Sequence, residues 1–342
     1  LNNKFNLKFS SALETSKNYI QQTNPNDDLS YSSSLNTSLD IYGYNLNRID
    51  DKLRLNFTNY QSNQNGEDNK TLPTIFPYIE FYTGEQNIKT YKYSNNLEFY
   101  NIIRNNTTDI HAKKQRKISS LVKFNKEIYK YKSKIHFETN IYNQFFNTED
   151  KKIDNKYVDS NYFRSFPIFG IKAETPFKIK KLKNGLTYTP KLELVITPGI
   201  SNSSKLSNED SSINSYTIEN NSNLNRYSGT DKLDNSKRLN LSFNAKNNIL
   251  NGTVWTAYEF TNNSNYHYKQ GNEKKLSDFW GDINITKEKY NTSYNFRFDP
   301  YDNYMKNQNI QFAYKNKIGD YKLGYLDHKS KNENIVISDK ET

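Results

Sequence analysis

The sequence predicts an all-β fold, a large antiparallel transmembrane β-barrel, on three observations. The first is alternation: Tyr129, Tyr131, Ser133, Ile135, Phe137, Thr139 and Ile141 are interleaved with Lys130, Lys132, Lys134, His136, Glu138 and Asn140. A period of two sets each group on one face of a strand, whereas on a helix the same residues scatter over every face. The second is length. Such runs recur and exceed the ~5–6 residues usual in globular sheets, matching the ~9–11 tilted residues that cross a bilayer. The third is composition: among 342 residues are 28 Tyr and 20 Phe, 15% aromatic, at a mean hydropathy of −1.00. Disordered chains are poor in aromatics. No stretch reaches the ~20 apolar residues of a spanning helix, a silence that barrels share because their lipid-facing and lumen-facing residues alternate.

Strands are expected from the N-terminus onward at 3–12 and 31–43, where Leu35, Thr37, Leu39 and Ile41 alternate with Asn36, Ser38 and Asp40. Leu53, Leu55 and Phe57 do the same against Arg54 and Asn56. The polar stretch 13–30 carries Asn24-Pro25-Asn26, which is turn chemistry. The stretch 61–73 carries Asn65-Gly66 and ends in Leu72-Pro73, a proline allowed at a strand start. Strands follow at 74–82 and 94–104 around a bend at Thr83-Gly84. Ile118, Ser120, Val122 and Phe124 then lead through an Asn125-Lys126-Glu127 turn into the 129–141 run.

Beyond a loop at 143–168 come 169–180 and 186–197, joined by Lys181–Gly185. Phe169, Ile171, Ala173, Phe177 and Ile179 form one face there, with Lys172, Glu174, Lys178 and Lys180 opposite. Strands near 237–247, 253–261, 278–286, 291–299, 308–316 and 321–327 bring the expected number to about 15. The spacing is too irregular for a solenoid, and no Pro/Gly linker marks a boundary, so 1–342 reads as part of one barrel domain.

Lys and Arg number 48 against 37 Asp and Glu, a formal charge of +11 that points to an anionic partner. Nucleic-acid recognition requires a localised basic patch or a known fold motif. Here the lysines are spread over strands and turns, so no nucleic acid is expected. Lys130, Lys132, Lys134, Lys172 and Lys178 are candidate lumen-facing residues. Each alone is ordinary solvated wall, and together they form a cationic field. The absence of Cys excludes a disulfide framework and thiolate metal sites. His111, His136, His267 and His328 stand in unrelated contexts, without the spacing of metal ligands. No nucleophile–base pair, carboxylate cleft or phosphate loop is present, so no catalytic residue, metal or cofactor is expected.

The segment 224–246 reads LNRYSGTDKLDNSKRLNLSFNAK. Its second half alternates as a strand through Leu239, Leu241, Phe243 and Ala245. Its first half gathers Arg226, Asp231, Lys232, Asp234 and Arg238 around Gly229. Two readings stand: a salt-bridged turn that shapes a loop, or a direct part in substrate passage. Charge-assisted hydrogen bonds are strong, so 224–238 is expected to be an ordered loop close to the barrel mouth.

Arg226, Tyr227, Ser228, Gly229, Asp231, Lys232, Leu233 and Asp234 together resemble the Arg-[Tyr/Phe]-Ser-Gly-x-Asp-[Arg/Lys]-[Ile/Leu]-x-Asp signature of the LptD family. Leu72-Pro73, FPIFGIKAETPF at 166–177, LTYTPKLELVITPG at 186–199 and Leu276-Ser277-Asp278 before Gly281 are similar to that family in the same order. The resemblance implies a protein of the Gram-negative outer membrane that inserts lipopolysaccharide into the outer leaflet. It implies as partners an LptE-like lipoprotein plug, periplasmic Lpt bridge proteins, lipopolysaccharide and outer-membrane lipid, and a lateral gate where first and last strands meet. Family members tie a periplasmic jellyroll domain to the barrel by disulfides, which this Cys-free span does not form. The chain lacks an initiator Met and a signal segment. It reads as a processed piece, with the jellyroll domain and the closing strands outside it. A porin or nutrient-transporter barrel and a secreted all-β adhesin are the alternatives.

Barrels of this class have short periplasmic turns and long extracellular loops. Counted from the first strand, every odd-placed connection is longer than the even-placed one after it. That pattern sends 143–168, 198–236 and 262–277 outward, and Asn125–Ile128, Lys181–Gly185 and Lys287–Tyr290 to the periplasm.

Overall fold

The computed structural model describes residues 4–63, 68–179, 185–261, 274–332 and 335–341, with side chains up to residue 329. The strands are β1 (Phe5–Ser11), β2 (Ser34–Tyr44), β3 (Lys52–Ser62), β4 (Thr74–Ile88), β5 (Tyr91–Ile103), β6 (Lys114–Lys130), β7 (Ser133–Ile153), β8 (Lys156–Glu174) and β9 (Phe177–Ile179). They continue as β10 (Leu186–Ile196), β11 (Arg238–Lys246), β12 (Leu250–Glu259), β13 (Phe279–Lys287), β14 (Tyr290–Asp299), β15 (Tyr304–Lys315), β16 (Asp320–Asn332) and β17 (Ile335–Glu341). Each pairs antiparallel with the next. The exception is β8 and β9, which both pair with β10 on either side of Thr175-Pro176 and make one interrupted strand. Pro176 has no N–H for the ladder, so the break falls there. The result is an all-β antiparallel meander of 16 strands. Among the described residues no pairing joins β1 to β17.

The register shows two faces. On one, Ile79, Phe99, Ile118, Phe145 and Phe163 stand side by side across β4 to β8. Phe137, Ile171, Leu194, Leu239 and Tyr258 do so across β7 to β12. Many of these are open to the surroundings, Phe163 at 66% and Ile118 at 59%. An exposed apolar band of this extent marks a lipid or partner surface in any fold and is the lipid face of a barrel. The other face is polar, and residues 197–237, the connection from β10 to β11, lie folded on it.

Several expected boundaries move. Asn125-Lys126-Glu127 is not a turn but the interior of β6, paired with β5 and β7. The chain reverses instead at Tyr131-Lys132, both with positive φ (51° and 64°), as a two-residue hairpin turn requires. Neither residue is Gly, Asn or Asp, so no turn signal marked the place. The register then sets Tyr129 opposite Lys134, and Lys130 opposite Ser133 beside Ile128 and Ile135. Lys130 therefore lies on the apolar face and Lys132 in the turn. Lys134, Lys172 and Lys178 share the polar face.

Likewise 143–168 is not a loop. β7 and β8, 21 and 19 residues long, run through it to a turn at Asp154-Asn155. Both exceed the ~9–11 residues that cross a bilayer. Toward the turn, Asn143 and Asn147 stand on the same face as Phe145, and Gln144 and Thr148 are polar on the other, so the alternation weakens and does not read as strand. The bend at 83–93 is also strand, with β4 and β5 meeting at Lys89-Thr90.

Connections 45–51, 89–90, 131–132, 247–249, 288–289 and 316–319 lie at one end of the sheet, and 12–33, 63–73, 104–113, 154–155, 197–237, 260–278 and 300–303 at the other. The strict length alternation fails at 154–155, yet the second end carries the longest connections and the longest hairpin. The expected loops 262–277 and Lys181–Gly185 lie largely outside the described residues.

Candidate functional site

Residues 197–237 are rich in Ser and Asn and would not bury themselves for hydrophobic reasons alone. A small apolar cluster starts the docking: Leu224 and Leu233 pack with Tyr142, Phe166, Ile168 and Val195 of the polar face. Gly170 of β8 makes the room, since a Cβ there would lie 2.5 Å from Leu224 Cδ2. Around this cluster three charged centres tie the loop down.

In the first, Arg226 grips Asp234 in a two-pronged arrangement, Nε to Oδ2 at 2.5 Å and Nη2 to Oδ1 at 3.2 Å. Its Nη2 also lies 2.8 Å from Glu259 Oε1 of β12. Arg238, at the start of β11, donates to Asp234 Oδ2 at 3.1 Å and to the carbonyls of Asn221 and Asn223. Two guanidiniums and two carboxylates thus balance while all four are buried. Desolvation weighs against the Arg226 cation, but Asp234 and Glu259 more than offset it and hold it protonated.

The second centre is Lys117 of β6. Its ammonium, fully buried, reaches Glu98 Oε1 at 3.0 Å, Asp210 Oδ2 at 3.1 Å and Asp231 Oδ1 at 3.0 Å. Asp231 also accepts from Tyr100 Oη at 2.9 Å and from the Glu209 amide at 2.7 Å. Burial pushes the Asp231 carboxyl above the usual carboxylate range, with Lys117 pulling the other way. Asp210 meets the same desolvation, yet Lys117 and the donors Ser211, Asp231 and Thr230 hold it below that range.

In the third, Arg104 clasps Glu209 through both oxygens, at 3.0 and 2.6 Å. Arg164 of β8 bridges centres by donating to the carbonyls of Thr230 and Asp231. Tyr216 anchors another part of the loop against Trp255, which stacks on Trp280 at 5.6 Å, with Arg297 over the latter's ring.

The signature residues divide by task. Arg226, Asp234 and Arg238 form one cluster and Asp231 belongs to another. Tyr227 pairs its backbone with Ile213, and Ser228 Oγ lies 2.8 Å from Ser212 Oγ. Gly229 fits where it does because any Cβ would run into the Asp210 carbonyl. Lys232 donates its backbone N–H to Ser211 Oγ, but its ammonium stays out of the networks. Of the lysines on the polar face, Lys134 pairs with Glu127 at 2.9 Å. Lys172 pairs with Glu193 at 3.1 Å and donates to the Ser222 carbonyl. Lys178 is exposed opposite Thr187. Lys117, Glu98, Asp210, Arg104, Glu209, Arg164 and Glu259 escaped sequence reasoning. Partners 93 to 114 residues apart, such as Lys117 with Asp210 and Asp231, leave no local pattern.

A strongly polar loop ordered inside a 16-stranded antiparallel sheet with an apolar outer face is the setting in which the family comparison falls. The model for LptD, described as LPS transport system D, matches residues 1–340. The chain belongs to the LptD family. No curated protein matches it. As an LptD-family member the chain is an outer-membrane component of lipopolysaccharide transport and assembly, associated with lipopolysaccharide and the Lpt machinery. LptD proteins are a transport family and not an enzyme family. Among the described residues no helix is long and apolar enough to cross a membrane, and LptD-family proteins cross with strands.

Proposed function

We propose that this chain forms the wall and the inner loop of the passage by which lipopolysaccharide enters the outer leaflet. The observation that supports it most is the pairing of an exposed apolar band on one face with residues 197–237 ordered on the other. A phosphorylated sugar head group needs a polar path, and acyl chains need an apolar exit. An inner loop whose charges are mostly neutralised by one another narrows the lumen without holding an anionic substrate too tightly. The two readings of the signature cluster then become one: its salt bridges order the loop, and the ordered loop bounds the passage. A lateral gate between the first and last strands, an LptE-like plug inside the barrel, and delivery by a periplasmic Lpt bridge complete the proposal. The end bearing 197–237 and the β7–β8 hairpin faces outward.

Photo-crosslinking in growing cells tests the path. A photoreactive amino acid at Lys178, exposed on the polar face, is expected to capture lipopolysaccharide, whereas one at Phe169, on the apolar band, is expected to capture phospholipid. Capture of lipopolysaccharide at neither position, with normal assembly of the protein, would contradict the proposal.

A further inference from the structure

We propose that a cleft between the tip of the β7–β8 hairpin and the inner loop binds a phosphate group. The cleft has a volume of about 520 Å³ and is lined by residues 109–110, 151–155, 203–204, 206, 208 and 232. Three lysines border it: Lys151, Lys152 and Lys232. Lys152 is taken, its Nζ lying 3.1 Å from Asp109 Oδ1. Lys151 is buried, and its Nζ donates to the carbonyls of Asp109 and Ile110 without an ion pair among the described residues. That leaves one of its three N–H groups unused.

Lys232 is the one charged signature residue outside the buried networks. Its ammonium makes no hydrogen bond or ion pair among the described residues, although its backbone is fixed by Ser211. Asp154 is the remaining carboxylate, exposed in the hairpin turn. Three lysines against two aspartates leave the cleft one positive charge in excess.

Two ammonium groups held beside one cleft repel each other, and an anion between them converts that repulsion into attraction. A phosphate suits the place better than a carboxylate because it offers oxygens to several donors at once. Lys151 and Lys232 supply charge, and the exposed Ser204 hydroxyl supplies a further donor at the rim. The source of the phosphate, a glycolipid head group rather than the free ion, rests on the transport reading above. Held here, a head group leaving the lumen would be retained while its acyl chains move.

The test uses the detergent-solubilised protein, titrated with inorganic phosphate by calorimetry and passed over immobilised lipopolysaccharide. Lys232→Gln is expected to weaken phosphate binding about tenfold, the size of one charge-assisted hydrogen bond, and to speed release from lipopolysaccharide. Lys232→Arg keeps the charge and should retain binding. No phosphate binding by the unaltered protein, or equal binding by Lys232→Gln, would overturn the site. Weaker phosphate binding with unchanged lipopolysaccharide binding would keep the site and overturn the glycolipid as its source. If crosslinking at residue 178 fails while Lys232→Gln still weakens phosphate binding, the transport reading falls and the cleft stands.

Discussion

Replacing Asp234 with Ala is expected to release residues 197–237 from the polar face of the sheet. Asp234 is the carboxylate that Arg226 and Arg238 share, and all three are buried. Its removal takes from Arg226 the carboxylate it holds with two nitrogens, leaving Glu259 and the Asn221 amide oxygen among its partners, and leaves Arg238 with backbone carbonyls. Two guanidiniums then face each other without water. Breaking a buried ion pair by deleting one partner costs about 3–5 kcal/mol, enough to open the part of the loop around Arg226, whose apolar anchors are Leu224 and Leu233. Trypsin reads the result, because cleavage after Arg226 requires the loop to open. The Asp234→Ala protein should be cut there while the unaltered protein is protected. Equal protection of both would show that this cluster does not hold the loop.

Lys117→Met should act as strongly from the opposite side. Lys117 meets Glu98, Asp210 and Asp231 together, and its loss leaves three neighbouring carboxylates, the buried Asp231 among them, without the cation that offsets their repulsion. A penalty of about 3–5 kcal/mol is again expected. It should appear as a lower temperature for the heat-induced shift in gel migration. Adding Asp231→Asn removes one of the unpaired charges, so the double variant should recover part of the loss. That non-additivity is the mark of residues in one network. A double variant as unstable as the sum of the two single changes would contradict the assignment of Lys117 as the partner of Asp231.

Much of the architecture was legible because a lipid face imposes a rule on every second residue. Where the strand lies in lipid, as at Ile135 to Ile141 or Leu239 to Ala245, the alternation is strict and the faces follow. Where polar residues stand on both faces the rule lapses, and 143–168 reads as loop although it is the longest hairpin among the described residues. Although Lys287–Tyr290 is legible without Gly, Asn or Asp and Asp154-Asn155 is missed with them, these residues supplied the signal at several turns. At Tyr131-Lys132 nothing did, and a turn placed five residues too early put Tyr129 and Lys130 on each other's faces. The order of the signature loop was legible from its charge density, and the pairing of Arg226 with Asp234 lies within eight residues. The remaining partners were not. Lys117 and Arg164 sit on strands, and Arg104 directly follows β5, all distant in sequence from the loop, and only the register of those strands brings them under it.

In the proposed orientation the chain crosses the outer membrane with the loop-bearing end of the sheet outside. Single cysteines read this cleanly because the chain has none of its own. Asn155, at the tip of the β7–β8 hairpin, and Lys132, in the turn between β6 and β7, mark opposite ends of the sheet. In intact cells a membrane-impermeant maleimide should label Asn155→Cys at once and Lys132→Cys only after the outer membrane is permeabilised. Labelling of Lys132→Cys but not Asn155→Cys would reverse the orientation, and labelling of both in intact cells would contradict a barrel that spans the membrane.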